Sequence, residues 1–296
     1  MNKENNKVII TTFTDPMMGL SYECEPVYRK LETHFPENIE FKYAMGALVR
    51  NVYYLVDQKD LVQGKDIAIK NYNKRLAKIY ESEESISGMP INMTNFHLFS
   101  TEDISSIPLN IAYKAAHLTD IEKADLFLYN LRYAIIVECR PALRLEEILK
   151  VVCKTGIDSD EFLIHYKDGT AEKALNSDFK LEHELEIRTL PAYLIQYQGK
   201  SVLIQTLIGY EDFVSVIGEI TDGEVKPQKV SPSIEGLRKL LNAHQLISPI
   251  EIREAFNFGN IDEVREFIDP LLENNEISIR DVYHGWFVTK FEKEMS

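Results

Sequence analysis

The chain has little of what most chemistry needs. Three cysteines in 296 residues, Cys24, Cys139 and Cys153, are too few and too scattered for a disulfide framework or a zinc site, and they fit a reducing compartment. Seven histidines are spread without a His-x-x-x-His pair, so no metal is expected. There is no glycine-rich phosphate loop and no nucleophile elbow. Basic charge is also short: Lys and Arg number 33 against 47 Asp and Glu, a formal charge of −14, which repels phosphate backbones and argues against nucleic acid as a partner. No apolar run reaches membrane-spanning length, and Met1 to Lys7 leads into a short β-like run instead of a secretory core. A cytoplasmic protein with no membrane association is expected.

What remains is an ordinary globular composition, 45% hydrophobic and long enough for two domains. Val8 to Phe13 reads as a strand stopped by Asp15-Pro16, and Gly19 to Phe35 as a helix kinked at Pro26, which lacks an N–H and crowds the preceding turn. Ile39 to Tyr43 alternates as a second strand. From about 60 to 186 the pattern is helical, with stripes in Asp66–Tyr80, Ser106–Leu118, Asp120–Glu138, Leu143–Thr155, Asp160–Tyr166 and Thr170–Glu186. Cys139 and Cys153 fall within helical patterns and are expected in the core. Strands return at Ala192–Tyr197 and Ser201–Thr206 around the turn Gln198-Gly199-Lys200, followed by a helix from Tyr210.

Residues 221 to 233 are polar with two prolines and read as a linker. Beyond them Ser233 and Ser248 are suited to cap two helices, Ile261 to Leu272 forms a third, and 277–279 with 286–288 forms a hairpin. Three helices and a two-stranded wing look like a winged-helix module. Its third helix carries Asp262, Glu263, Glu266, Asp269 and Glu273 against Arg265 alone, which suits docking to protein or pairing of two chains, not DNA.

The segment Asp15-Pro16-Met17-Met18-Gly19-Leu20-Ser21-Tyr22 resembles the strand-to-helix turn of the DsbA-like branch of thioredoxin-fold proteins, which includes the FrnE-type dithiol–disulfide isomerases and usually reads Asp-Pro-Met-Cys-x-x-Cys-Tyr. Here Met18 and Ser21 stand in place of both cysteines. Thiol exchange requires a thiolate stabilised at a helix N-terminus and a second thiol one turn later. A thioether and a hydroxyl supply neither, so no catalytic residue is assigned at the degenerate turn Met18, Gly19, Leu20, Ser21. Cys24, deeper in the helix, reads as a small buried hydrophobe.

The resemblance implies an α/β architecture. A thioredoxin-like domain over residues 1–222, with a helical insertion at about 60–186, would precede an α+β module at 231–296. It also implies a cis-proline at Pro191 opening the third strand, with the Leu190 backbone available to an extended ligand, and a groove in which His97 takes part. The ligand-contacting set is then Asp15, Pro16, Met17, Met18, Ser21, Tyr22, His97, Leu190 and Pro191. Two functions follow. One is a non-redox binding protein holding a peptide or protein, in the manner of cytoplasmic DsbA-like adaptors that hand substrates to the ClpXP protease; it needs no cofactor. The other resembles 2-hydroxychromene-2-carboxylate isomerases and kappa-class transferases, with Ser21 donating to a glutathione thiolate. In that family the serine sits nearer the position that Met18 occupies here.

Overall fold

A computed structural model describes residues 7–290. Strand β1 (Val8–Thr14) alternates by side chain: Val8, Ile10 and Thr12 face one layer and Phe13 the other, the period of two that a strand buried on both faces requires. It pairs in parallel with β2 (Ile39–Met45), Thr14 opposite Met45, and antiparallel with β3 (Ala192–Tyr197), Phe13 opposite Ala192. β4 (Lys200–Ile204) completes the sheet in the order β2-β1-β3-β4. The β3–β4 turn is Gln198-Gly199, both at positive φ (46° and 84°), as a two-residue hairpin demands.

The first helical stretch is two helices, α1 (Gly19–Glu23) and α2 (Glu25–His34), divided at Cys24. The expected kink is thus a break, because Pro26 occupies the first turn of α2, where its missing N–H costs nothing. The insertion supplies α3 (Gln58–Gln63), α4 (Lys65–Glu83), α5 (Ile107–Thr119), α6 (Ala124–Ile136), α7 (Leu145–Thr155), α8 (Ser159–Lys167) and α9 (Thr170–Glu184), built on its own apolar core. α10 (Tyr210–Ile220) returns to the sheet and, with α2, covers the face that carries Val8 and Ile10; Phe213 and Ile217 are fully buried there, worth about 1.5–3 kcal/mol each.

Two cysteines depart from the expected core placement. Cys153 is exposed, because the apolar stripe of α7 runs through Ile148, Val151 and Val152 and leaves it outside. Cys139 lies beyond the end of α6 at φ 53° and is half-buried.

The C-terminal module consists of α11 (Ile234–Ala243), α12 (Pro249–Phe256) and α13 (Ile261–Glu273) with a three-stranded antiparallel sheet of β5 (Leu246–Ile247), β6 (Ile277–Val282) and β7 (Gly285–Lys290), ordered β5-β7-β6. Ser233 caps α11 by accepting from Gly236 N at 3.1 Å, and Ser248 with Glu251 forms a reciprocal capping box on α12. The third strand, β5, was not expected; two residues are too short for a periodicity to register. The module is not loosely tethered. α12 packs along α2, Leu246, Ile250 and Phe287 join the insertion core, and Gln228 N in the connecting segment donates to His34 O at 2.7 Å.

Candidate functional site

The turn after β1 is built on Asp15. Its Oδ1 accepts from Met17 N at 2.9 Å, and its Oδ2 accepts from Leu48 N (2.7 Å), Ser106 Oγ (2.7 Å) and Asn110 Nδ2 (2.9 Å). The carboxyl has no exposure; burial raises its pKa although four hydrogen bonds pull the other way. One side chain thus pins the turn, the segment after β2 and the start of α5.

At the position of the second family cysteine, the Ser21 hydroxyl is fully buried and lies 2.7 Å from Thr14 Oγ1. Behind it Arg132 of α6, with no exposure, donates from Nη2 to Thr14 Oγ1 (3.1 Å) and from Nη1 to Glu25 Oε1 (2.7 Å). Tyr22 donates to Pro90 O at 2.9 Å. Cys24 Sγ lies 3.4 Å from the Tyr193 hydroxyl, and burial pushes its thiol up to about 12, which removes it as a nucleophile at neutral pH.

The turn is also covered. Tyr80 near the end of α4 donates its hydroxyl to Met17 O. Gly19 lies directly beneath α4: a Cβ there would fall 1.9 Å from Glu83 Oε2 and 2.6 Å from Tyr80 Cδ1. Met18 retains 4% exposure, Met17 1% and Ser21 none, and Asp15 and Pro16 are buried with them. Leu20 is half-buried. The Leu190–Pro191 peptide is cis, and Pro191 is buried one residue beyond the Phe13–Ala192 pair, at the level of Thr14. Leu190 closes on Gly46, where a Cβ would stand 2.7 Å from Leu190 Cδ1 and 2.6 Å from Glu182 Oε1. The fold therefore gathers Asp15 to Tyr22 with Pro191, and leaves these residues little surface to offer a ligand.

His97 is elsewhere. It stands exposed on the segment 93–101, which with α4 walls a groove of about 490 Å3. Asn73 fixes this segment by donating to Phe99 O (2.8 Å) and accepting from Phe99 N (3.1 Å). Groove and turn share a wall, since Phe96 packs edge-on against Tyr80 at 5.5 Å.

The opposite end of the turn helix carries a feature absent from the sequence reading. Arg29 donates to Glu25 Oε2 (2.9 Å), Glu32 Oε2 (2.7 Å) and Glu251 Oε1 (3.2 Å) of α12. Tyr129 donates to Glu251 Oε2 at 2.6 Å, His244 Nε2 lies 2.8 Å from Glu32 Oε2, and Lys30 pairs with Glu254 at 3.2 Å. The sole trace in the sequence is the capping box Ser248-x-x-Glu251, which explains one of the Glu251 contacts and not its partner 222 residues away. Among the described residues no three His, Cys, Asp or Glu side chains are placed to hold a metal ion, and no helix is long and apolar enough to cross a membrane.

The chain is 22% identical over 94% of its length, and 87% of the relative's, to a protein from Bacillus subtilis (strain 168) described as ClpXP adapter protein SpxH. A protein of the same description from Halalkalibacterium halodurans is 20% identical over 96% of this chain and 89% of its own length. Among solved structures, a candidate protein disulfide isomerase from Nitrosomonas europaea superposes with a TM-score of 0.59 at 15% identity, covering 74% of this chain and 99% of that one. The cytosolic disulfide reductase DsbM from Pseudomonas aeruginosa superposes with a TM-score of 0.50 at 14% identity, covering 72% and 98%. These structures share the DsbA-like fold. The family model described as Thioredoxin matches residues 11–213, more than half of the sequence, and the chain belongs to that family.

Proposed function

We propose that this chain is a redox-inactive adaptor that binds a protein partner, using the thioredoxin-like domain and its insertion as a rigid body to which the C-terminal module is fixed. The observation that carries the reading is the turn itself: both thiol positions hold buried residues of other kinds and α4 lies on Gly19 between them, yet the thioredoxin-like sheet around the turn is kept. Exchange chemistry needs a thiolate that a substrate disulfide can reach. Retention of the fold without that chemistry fits a surface that binds. Similarity to proteins described as ClpXP adapters, along nearly the whole chain including the module, supports the same role, and we place the protein in the cytoplasm on that basis. The module, winged-helix-like in its element order, serves here as a fixed part of the binding body, because its α12 face is already taken by α2.

The glutathione reading has less support. Ser21 has its hydroxyl engaged by Thr14 inside the protein, and α1 is five residues long, so neither a free donor nor a sustained helix dipole faces solvent.

The test is a degradation assay with the full chain, ClpXP of the same organism and its soluble proteins as a substrate pool. One or a few proteins should disappear faster when the chain is present, while the chain survives and reduces no disulfide. Unchanged half-lives throughout would sink the adaptor reading.

A further inference from the structure

The six basic side chains Lys59, Lys65, Lys70, Lys74, Arg75 and Lys78 fall within twenty residues that hold only two acids, Asp60 and Asp66, in a chain of formal charge −14. None of the six enters an ion pair among the described residues, although acidic side chains outnumber basic ones over the rest of the chain taken together. Lys70 and Lys74, one helical turn apart on α4, are exposed and, outnumbering Asp66 one turn earlier, edge the groove of about 490 Å3 whose other edge carries His97. The floor between these edges is apolar: Ile69, Met93, Phe96 and Phe99 lie there, each no more than 8% exposed.

We propose that this groove is the docking site for an acidic segment of a partner protein carrying apolar anchor residues. The proposal rests on the adaptor reading and names the partner chemistry it would use. Unpaired cations at the edge attract and orient a segment of opposite sign, and an apolar floor gives affinity only to a segment that brings apolar side chains to it. Nucleic acid satisfies the first condition but is repelled by the remaining acidic surface. The groove is held open by structure: Asn73 clamps Phe99, and Phe96 rests on Tyr80, which is tied to Met17. It therefore needs little ordering on binding, which favours affinity.

The probe is a fluorescein-labelled peptide of repeated Glu-Leu-Asp-Phe units, titrated with the full chain and read by anisotropy. Controls are a Lys-Leu-Arg-Phe peptide, an oligo-glutamate, and the labelled chain itself as the titrant. Wild type should bind the acidic apolar peptide, more weakly as salt rises from about 50 to about 300 mM. The exposed double variant Lys70→Glu/Lys74→Glu should melt as wild type does and bind about tenfold or more weakly. Equal binding of the basic peptide, or an unaltered affinity in the double variant, overturns the proposal. Oligo-glutamate binding as well as the apolar peptide overturns it in favour of a general anion surface, and salt-dependent binding of the chain to itself without peptide binding overturns it in favour of a second copy. The degradation assay on the same double variant separates the two readings. Accelerated degradation that persists in that variant while no peptide binds removes the groove and leaves the adaptor; in wild type, peptide binding with no accelerated degradation removes the adaptor and leaves the groove.

Discussion

The two ends of the helix pair α1–α2 have gone opposite ways. At the N-terminal end, where the fold places its chemistry, the turn is closed in: Tyr80 and Glu83 lie against Gly19, Tyr80 donates to Met17 O, and Thr14 engages Ser21. At the C-terminal end, Arg29, Lys30, Glu32 and Thr33 project onto α12 and onto His244 just after α11, and hold a second domain through charged and polar contacts. Glu25 and Arg132 connect the ends, since Glu25 meets Arg29 through one oxygen and Arg132 through the other, and Arg132 continues to Thr14. The difference teaches that the helix still organises the molecule. A site kept for reactivity must leave its helix terminus reachable; here the polar investment has moved to the interdomain end, where its geometry fixes one arrangement of the module.

The largest break in this comparison comes at Arg29. Replacing it with Met leaves Glu25 and Glu251 buried without their shared partner, which should cost about 3–5 kcal/mol of stability in denaturant unfolding. It should also unfold in two steps where the parent chain is expected to unfold in one, with the module loosening first. A cost near zero and one sharp transition would mean the charges are incidental to the interface. Next in size is Gly19→Ala at the sealed end. In an open helix this change would gain up to about 1 kcal/mol, but here the added methyl meets Glu83 and the Tyr80 ring. A net loss of about 1–3 kcal/mol is expected, with faster proteolysis near the end of α4. A stabilised variant would show that α4 yields easily and that the seal is loose.

Local chemistry was legible in the sequence; tertiary chemistry was not. Asp15-Pro16, the Gln198-Gly199 turn and the caps at Ser233 and Ser248 act within a few residues, so their signals lie side by side in the chain. The absence of thiols at Met18 and Ser21 could be read directly. That α4 would lie on Gly19 could not, because one helix stripe meeting a distant glycine leaves no periodic mark. The Arg29–Glu251 and Arg132–Glu25 pairs span 222 and 107 residues, and each charge taken alone looks like an ordinary solvated one. Cys153 shows the complementary failure: the helical pattern is plain in the sequence, but the buried stripe of α7 runs through Ile148, Val151 and Val152 and leaves Cys153 on the outer side.

The third effect is a slope. Burial raises Glu23 and Glu83, beside the turn, to about 7 from an ordinary carboxyl value, and Glu23 Oε1 and Glu83 Oε2 have no hydrogen-bond partner within the protein. A carboxyl with a raised folded-state pKa binds its proton more tightly folded than unfolded. Its contribution is fully present below the unfolded value near 4.5 and is lost as pH rises through about 7. The denaturation midpoint should therefore fall between about pH 5 and about pH 8. Glu23→Gln and Glu83→Gln should each flatten that fall, whereas an exposed control such as Glu81→Gln should not.

The smallest expected effect is the most direct probe of the sealed end. Restoring the family pattern with Met18→Cys/Ser21→Cys returns both thiols to the chain without uncovering them, since Tyr80 and Glu83 still lie over the turn. Loss of the Ser21–Thr14 hydrogen bond should lower stability by about 1 kcal/mol. Disulfide reduction of a protein substrate should stay at the level of the parent chain, and the new thiols should react with a bulky maleimide at the rate of unfolding. Adding Tyr80→Ala then supplies the missing variable, access, and should raise the labelling rate severalfold. If the two cysteines alone produced turnover, the turn would be an open site that had lost only its nucleophiles, and the two ends of the helix pair would differ in sequence and not in architecture.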